Sequence, residues 1–244
     1  MLDDPHERIA RPIPGWAGFT IHPVLPDDPA LRASLREWDW VGRALLGRAG
    51  LSAATRVRLE DGLRIAGEIA RVLAGEEPGE GTAAERTVWA VRSGGRVQAI
   101  ACLFPTPRAV FVELVASAPW NLLGPGEAID GRTVRGAGSA LLAHADAWSR
   151  VRGTGGRVAL QAENPRARAF YERLGFTVMT PDDAPLQLVP RGDRGHSPEI
   201  RRVAGGRPGP EEERSPWMVR DPQRRATAAG SAAVPARATA AVTP

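Results

Sequence analysis

The stretch ENPRARAFYERLGF, residues 163–176, crowds several local structural signals into a short span. Asn164 is a good helix N-cap, because its side-chain oxygen can accept from an otherwise unpaired backbone N–H, and Pro165 follows where a missing N–H costs nothing. Ala167, Phe170, Tyr171 and Leu174 recur at spacings of three and four and so share one stripe. Gly175 can take the left-handed conformation that closes a helix. The stretch therefore predicts a helix of about ten residues. Upstream, RVALQAE alternates Val158, Leu160 and Ala162 against Ala159 and Gln161; downstream, FTVM is aromatic and β-branched. The predicted unit is strand, helix, strand.

Working outward, VRGAGSALLAHADAW predicts another helix just before that unit. Gly136 and Gly138 allow close approach to its backbone, and the N–H groups of Ala137 to Ala140 are expected to point out of its N-terminus, a setting that suits a phosphate or pyrophosphate. No Lys-Ser or Lys-Thr follows, so the segment is not a nucleotide-triphosphate loop, and no strand runs directly into the glycines as a dinucleotide fold requires. Further upstream come three strand candidates: TVWAVR, VQAIACLF after the turn Ser93-Gly94-Gly95-Arg96, and AVFVELVA after Pro105-Thr106-Pro107-Arg108. They predict an antiparallel meander. A Gly- and Pro-rich loop from Ser117 to Arg132 joins it to the helix.

Two amphipathic helices are expected before the meander. ALRASLREWDWVGRALLGRAG carries Leu31, Leu35, Trp38, Val41 and Leu45 at helical spacing, and Ser52 is a candidate cap for a second stripe of Val57, Leu63, Ile65, Ile69 and Val72. Pro185 to Pro190 is expected as a short last strand.

Of 244 residues, 43% are hydrophobic and 25% charged, ordinary for a globular chain with one sizeable core. The only cysteine, Cys102, lies in an apolar run and is expected to be buried; no disulfide framework is possible, which suits a reducing compartment. The opening residues have no apolar signal region and no segment approaches the ~18 uncharged apolar residues of a membrane span, so the expected location is the cytoplasm. All basic side chains are arginine, and residues 1–190 carry equal numbers of arginines and acids. The net +4 falls in residues 191–244, rich in Pro, Gly, Ala and Arg and without apolar periodicity, expected to form a disordered tail. Nucleic-acid binding is therefore not expected. The four histidines are scattered without ligand spacing, so no metal site is expected. Trp38, Trp40 and Trp120 read as core or as acceptor-pocket lining.

Taken in order, Arg135-Gly136-Ala137-Gly138-Ser139-Ala140-Leu141-Leu142 and Asn164 through Phe176 resemble the two motifs of the GNAT N-acetyltransferase superfamily. The resemblance covers roughly residues 86–190; Thr133 stands where the family commonly has Gln or Arg. It implies an α/β (α+β) fold with a mixed, mostly antiparallel central sheet, flanking helices and a splayed parallel strand pair. The implied domain spans 19–190, with 1–18 as an N-terminal extension. It further implies acetyl-CoA as cosubstrate, its pyrophosphate on Arg135 to Ala140. Its pantetheine arm is expected between the strands of AVFVELVA and RVALQAE, bonded by backbone groups of Leu114, Val115 and Ala116. Asn164 reads either as contact to that arm or as cap alone. Tyr171 matches the family's general acid, or else is a half-buried aromatic. Glu113 stands where some members hold a base, or else pairs with an arginine. The implied activity is acetyl transfer to a primary amine on a small molecule or peptide; the alternative is a catalytically degenerate acyl-CoA-binding or protein-interaction module of the same fold.

Overall fold

The computed structural model describes residues 11–12, 16–26, 28–76, 86–124, 126–128, 131–180, 183, 189–190, 198–199 and 216–222. Its elements run β1 (Arg11–Pro12), β2 (Thr20–Val24), α1 (Pro29–Leu46), α2 (Ala53–Ala74), β3 (Thr87–Ser93), β4 (Arg96–Pro105) and β5 (Val110–Ser117). After them come α3 (Ala137–Val151), β6 (Val158–Gln161), α4 (Pro165–Arg173), β7 (Thr177–Val178), β8 (Val189–Pro190), β9 (Pro198–Glu199) and β10 (Trp217–Arg220).

Local chemistry accounts for the element ends. Asp28 caps α1 through its carboxylate, which accepts from the N–H groups of Ala30 at 2.8 Å and Leu31 at 3.1 Å. Ser52 caps α2 by accepting from the Thr55 N–H at 3.2 Å, and Gly75 closes it with φ 69°. Gly94 and Gly95, both at positive φ, turn β3 into β4 as a two-residue hairpin requires.

Eight strands form one sheet in the order β1-β2-β3-β4-β5-β6-β10-β7. All neighbours are antiparallel except β5 and β6. Alternation along the central strands sorts side chains to two cores. Val88 and Ala90 of β3 with Ile100 and Cys102 of β4 pack against the stripe Leu31, Leu35, Trp38, Val41 and Leu45 of α1 and against α2. Trp89 and Val91 with Ala99, Ala101 and Leu103 face α3 and α4 on the other side. The meander and the helix–strand–helix–strand run thus stand as expected, and Cys102 is fully buried.

Several expectations are corrected. In α2 the buried stripe is Thr55, Leu59, Ala66, Ile69 and Leu73, while Val57 is 51% exposed, because the period that keeps Leu59 and Ile69 inward turns residue 57 away. Strands β1 and β2, unforeseen between the N-terminus and α1, extend the sheet, so residues 11–12 of the expected extension belong to it. Pro185–Pro190 does not supply the sheet's last strand: Val189 and Pro190 pair instead with Glu199 and Pro198 in a separate two-stranded sheet, and 184–188 lie outside the described residues. Nor is the stretch after 190 wholly a tail. Trp217–Arg220 inserts between β6 and β7, pairing with Gln161 to Val158 on one side and with Val178 and Thr177 on the other. Met218 and Val219 are buried there. Asp221 accepts from Arg157 at 2.6 Å and 3.0 Å beside them. Much of the remaining tail lies outside the described residues.

Candidate active site

The site begins where strand pairing ends. β5 and β6 pair in parallel only from Val110 with Val158 to Val112 with Leu160, and beyond that they part. A β-bulge marks the point of departure: Cys102 faces Leu114 and Leu103 faces Val112, so Glu113 has no residue opposite it in β4. After the bulge, Leu114 to Ser117 pair with β4 on one edge alone, and their other edge faces an opening. β6 turns meanwhile to β10, with Gln161 opposite Trp217.

That opening is a cleft of about 370 Å³ which passes through the sheet layer. Gly138 and Leu142 of α3 and Asn164, Arg166, Ala167, Phe170 and Tyr171 of the α4 segment line it from one side; Arg58, Asp61, Gly62 and Ile65 of α2 line it from the other. The sequence-selected Glu113, Leu114, Val115, Ala116, Arg135, Gly138, Asn164 and Tyr171 all border this one space. Gly136, Ala137, Ser139 and Ala140 do not line it.

Helix α3 is entered through Gly136 at φ 93°, a conformation side-chain-bearing residues rarely adopt. The first hydrogen bond of the helix runs from the Ala140 N–H to the Gly136 carbonyl at 2.9 Å. Ala137, Gly138 and Ser139 therefore hold the unpaired donors, and Ala140, whose N–H is used and whose side chain is fully buried, drops out of the expected set. Two loop contacts fix this entry: Asn121 accepts from the Val134 N–H at 2.7 Å, and Thr133 donates to the Trp120 carbonyl at 3.0 Å. Asn121 and Trp120 are held in turn by buried Gln98, whose side-chain oxygen accepts from both at 2.9 Å. Arg135 is turned onto the same loop, donating to the Leu123 carbonyl at 2.9 Å. Trp120 and Trp38 are core, meeting edge to face at 6.4 Å, while Trp40 is 72% exposed on α1.

Asn164 caps α4, its Oδ1 accepting from the Ala167 N–H at 2.9 Å; its Nδ2 lies 3.5 Å from Asp61. Tyr171 is 8% exposed between Phe170 and Phe176, with ring centroids at 5.3 Å and 5.7 Å. Burial, reinforced by the charge of Glu163, pushes its phenol up to about 12, so the ring carries its proton throughout the neutral range. Glu113 is largely buried: one oxygen accepts from Arg86 at 2.7 Å and the other from the Cys102 thiol at 3.3 Å.

The residues that sequence reading missed are those that α2 and the strand ends bring in. Arg58, Asp61, Ser117, Gln161, Glu163 and Arg166 all border the cleft. The ion pair Arg64–Glu163, at 2.8 Å, ties α2 to the end of β6 across 99 positions of sequence. Nothing local marks such residues; the signal was the helix period of α2, read from the wrong starting residue. Glu127 of the long loop clamps that loop to the start of α2, accepting from the N–H groups of Gly124 at 2.7 Å and Ser52 at 2.9 Å and from the Thr55 hydroxyl at 2.6 Å. These bonds, the Ser52 N–H first, hold its carboxyl down at about 2.

A mixed sheet parted at its one parallel pair, with a glycine-entered helix at the gap, defines a fold of the GNAT class. Residues 130–176, the α3–α4 region, match the family model described as Acetyltransferase (GNAT) family. No curated protein matches the chain in sequence. Among solved structures, an acetyltransferase from Streptococcus agalactiae is 15% identical over 84% of this chain and 99% of its own, with a TM-score of 0.41. A GNAT family acetyltransferase from Elizabethkingia anophelis, solved with acetyl-CoA bound, is 10% identical over 84% and 99%, TM-score 0.41. The PaiA N-acetyltransferase from Thermoplasma acidophilum, in complex with coenzyme A, is 12% identical over 83% and 98%, TM-score 0.41. No helix among the described residues is long and apolar enough to cross a membrane.

Proposed function

We propose that the protein is an acyl-CoA-dependent N-acyltransferase that moves an acetyl group from acetyl-CoA to a primary amine by direct attack. The observation that carries this reading is the parting of β5 and β6 after Val112 and Leu160. It leaves one strand edge of polar backbone facing a cleft, with the unpaired donors of α3 near one end and α2 at the other. A pantetheine arm presents amides that need backbone partners of that kind, which Leu114, Val115 and Ala116 supply. A pyrophosphate needs convergent N–H donors, which Ala137, Gly138 and Ser139 supply at the positive end of the helix. Asn164 has its oxygen committed to the cap, so only its amide nitrogen is left to meet the arm.

In the transfer, the neutral amine forms the new C–N bond as the C–S bond breaks. Tyr171 gives its proton to the departing sulfur; the burial that raises the phenol raises the thiolate's proton affinity as well. Glu113, paired with Arg86, is the candidate base. It suits removal of the proton from the attacking nitrogen, which becomes strongly acidic once bonded to the carbonyl carbon, rather than from the starting ammonium. Arg86 and Cys102 are positioning residues that fix the carboxylate.

The test is a screen of acetyl-CoA against amines, amino acids and peptides, with free thiol as readout and the acetylated product identified by mass. Thiol release that depends on an amine and matches product in amount is expected. Binding of acetyl-CoA by calorimetry with no thiol release over buffer for any amine would instead favour the non-catalytic acyl-CoA-binding module.

A further inference from the structure

We infer that the acceptor carries a carboxylate as well as its amine, and that Arg58 of α2 and Arg166 of α4, which border the cleft from its two sides, read it. This deepens the transferase reading and rests on it.

The arginines around the cleft divide into two groups. Arg64 is held by Glu163 and by Glu68, at 2.8 Å and 2.7 Å; Arg86 is held by Glu113; Arg135 is spent on loop carbonyls. Arg58 and Arg166 border the cleft yet have no carboxylate within ion-pair distance among the described residues; Arg173, which borders it too, lies over the Phe170 ring at 5.9 Å. Arg58 donates one nitrogen to the Thr55 hydroxyl, and its Nε is buried without an acceptor. A buried donor left unsatisfied is costly, and a guanidinium in this state marks a place for an anion. The two arginines act on one another: the proton affinity of Arg166 is lowered by burial first and by the charge of Arg58 second, while Asp61 works in the opposite sense. Two cations that act on one another without a direct carboxylate partner gain from a ligand that brings one.

Asp61 supplies the complement. It borders the same space, meets only the Asn164 amide at 3.5 Å, and has no guanidinium within ion-pair distance among the described residues. A cation pair and a carboxylate at one mouth match a molecule with carboxylate and ammonium a few bonds apart, the pattern of a free amino acid. Position separates this from phosphate binding. The unpaired donors of α3 lie on the face that holds Tyr171, whereas Arg58 and Asp61 reach the cleft from α2, across the sheet, where they act on Arg166 of α4.

The experiment compares glycine, β-alanine, γ-aminobutyrate and the standard L-amino acids with their methyl esters and amides. Rates are taken at equal concentrations of neutral amine, with thiol release as readout. The free acids should exceed their esters by about 10- to 100-fold in kcat/KM, as one lost charge-assisted contact predicts. Arg166→Gln should bring the best acid to within about threefold of its ester through KM, and leave acetyl-CoA affinity by calorimetry unchanged; Arg58→Gln should do the same. Esters turned over as well as acids would overturn the inference while the transferase reading stands. Loss of acetyl-CoA affinity in either variant would also overturn it, by assigning the arginines to the cosubstrate. A separate arm needs no turnover: an N-acetyl amino acid and its methyl ester are titrated into the CoA-saturated protein. Preference for the acid without any catalysis would leave the carboxylate site standing and remove the transferase reading; no preference removes the site.

Discussion

At the scale of single residues the chain offers an unusually clean reporter. Tyr171 is its one tyrosine, and all of its long basic side chains are arginine, so no second phenol and no lysine titrates between pH 9 and 12. With the folded phenol pushed up to about 12 from an ordinary ~10, phenolate absorbance should rise about two pH units later in the native protein than in urea. The sign for stability follows. The raised group contributes stability that is complete below pH ~10 and is lost as pH climbs toward 12, so the parent should lose melting temperature across that window and Tyr171→Phe should lose less. In the proposed reaction, Tyr171→Phe should lower kcat by roughly 10²- to 10⁴-fold with acetyl-CoA affinity unchanged, since the ring still packs while the proton donor is gone. Turnover within two- or threefold of the parent, with chemistry limiting, would mean that the phenol is not the acid. Glu113→Gln keeps the shape but removes the charge that faces Arg86. It should lower kcat by about 10- to 100-fold and hold acetyl-CoA affinity; an unaffected kcat would reduce Glu113 to a structural partner of Arg86.

At the scale of elements the readable parts were those whose signals are local. The cap Asn164, the proline after it and the closing Gly175 stand within a dozen residues, and α4 forms as they dictate. The turn glycines between β3 and β4, and the glycine entry to α3, were legible for the same reason: each answers a backbone demand at its own position. The face of α2 was not. Its pattern contains several apolar residues off the buried stripe, and only the packing on Trp120 and β5 decides which row turns inward. Arg58 and Asp61 were illegible as a result; that Glu113 could pair with an arginine was legible from its place in an apolar strand, but not that the partner is Arg86, 27 positions away. The entry to α3 carries the prediction at this scale. Gly138 borders the cleft, and a side chain built there meets only the Ser117 hydroxyl, at 3.6 Å, so Gly138→Glu has room to fold. It should place a carboxylate before the unpaired N–H groups and abolish acetyl-CoA binding in calorimetry while leaving the melting temperature near that of the parent. Unchanged affinity would take the pyrophosphate away from this helix.

At the scale of the whole molecule, the stretch after residue 190 was the least legible. Trp217-Met218-Val219-Arg220 is a short apolar run among Pro, Gly, Ala and Arg, and its reason for being ordered lies entirely in strands some forty to sixty residues earlier. Composition averages over such a segment and reads tail. The consequence for truncation is opposite in sign to what composition alone suggests. Ending the chain at residue 215 should unpair β6 from β10, expose Met218's berth in the core, and remove the Asp221 partner of Arg157. A fall in melting temperature of ten degrees or more, or insoluble protein, is expected; a truncated protein as stable as the parent would show that β10 adds nothing.

The place of β10 also has a bearing on how the protein comes into being. Since it sits between β6 and β7, the half of the sheet that frames the cleft waits for residue 220 of 244, while β2 to β5 can pair as soon as they are made. On a translating ribosome, where chain emerges at roughly 5–20 residues per second, the meander is thus a finished scaffold for seconds before its partner strands close. During that interval β6 and β7 present open edges of the kind that recruit other chains. The connection back to them is long, but closing it costs only about (3/2)RT ln n, so the delay is one of synthesis rather than of search. Messages cut short before codon 217 would therefore yield chains that hold the meander and the glycine-entered helix yet keep an unsealed sheet, and these are the products that quality control would meet.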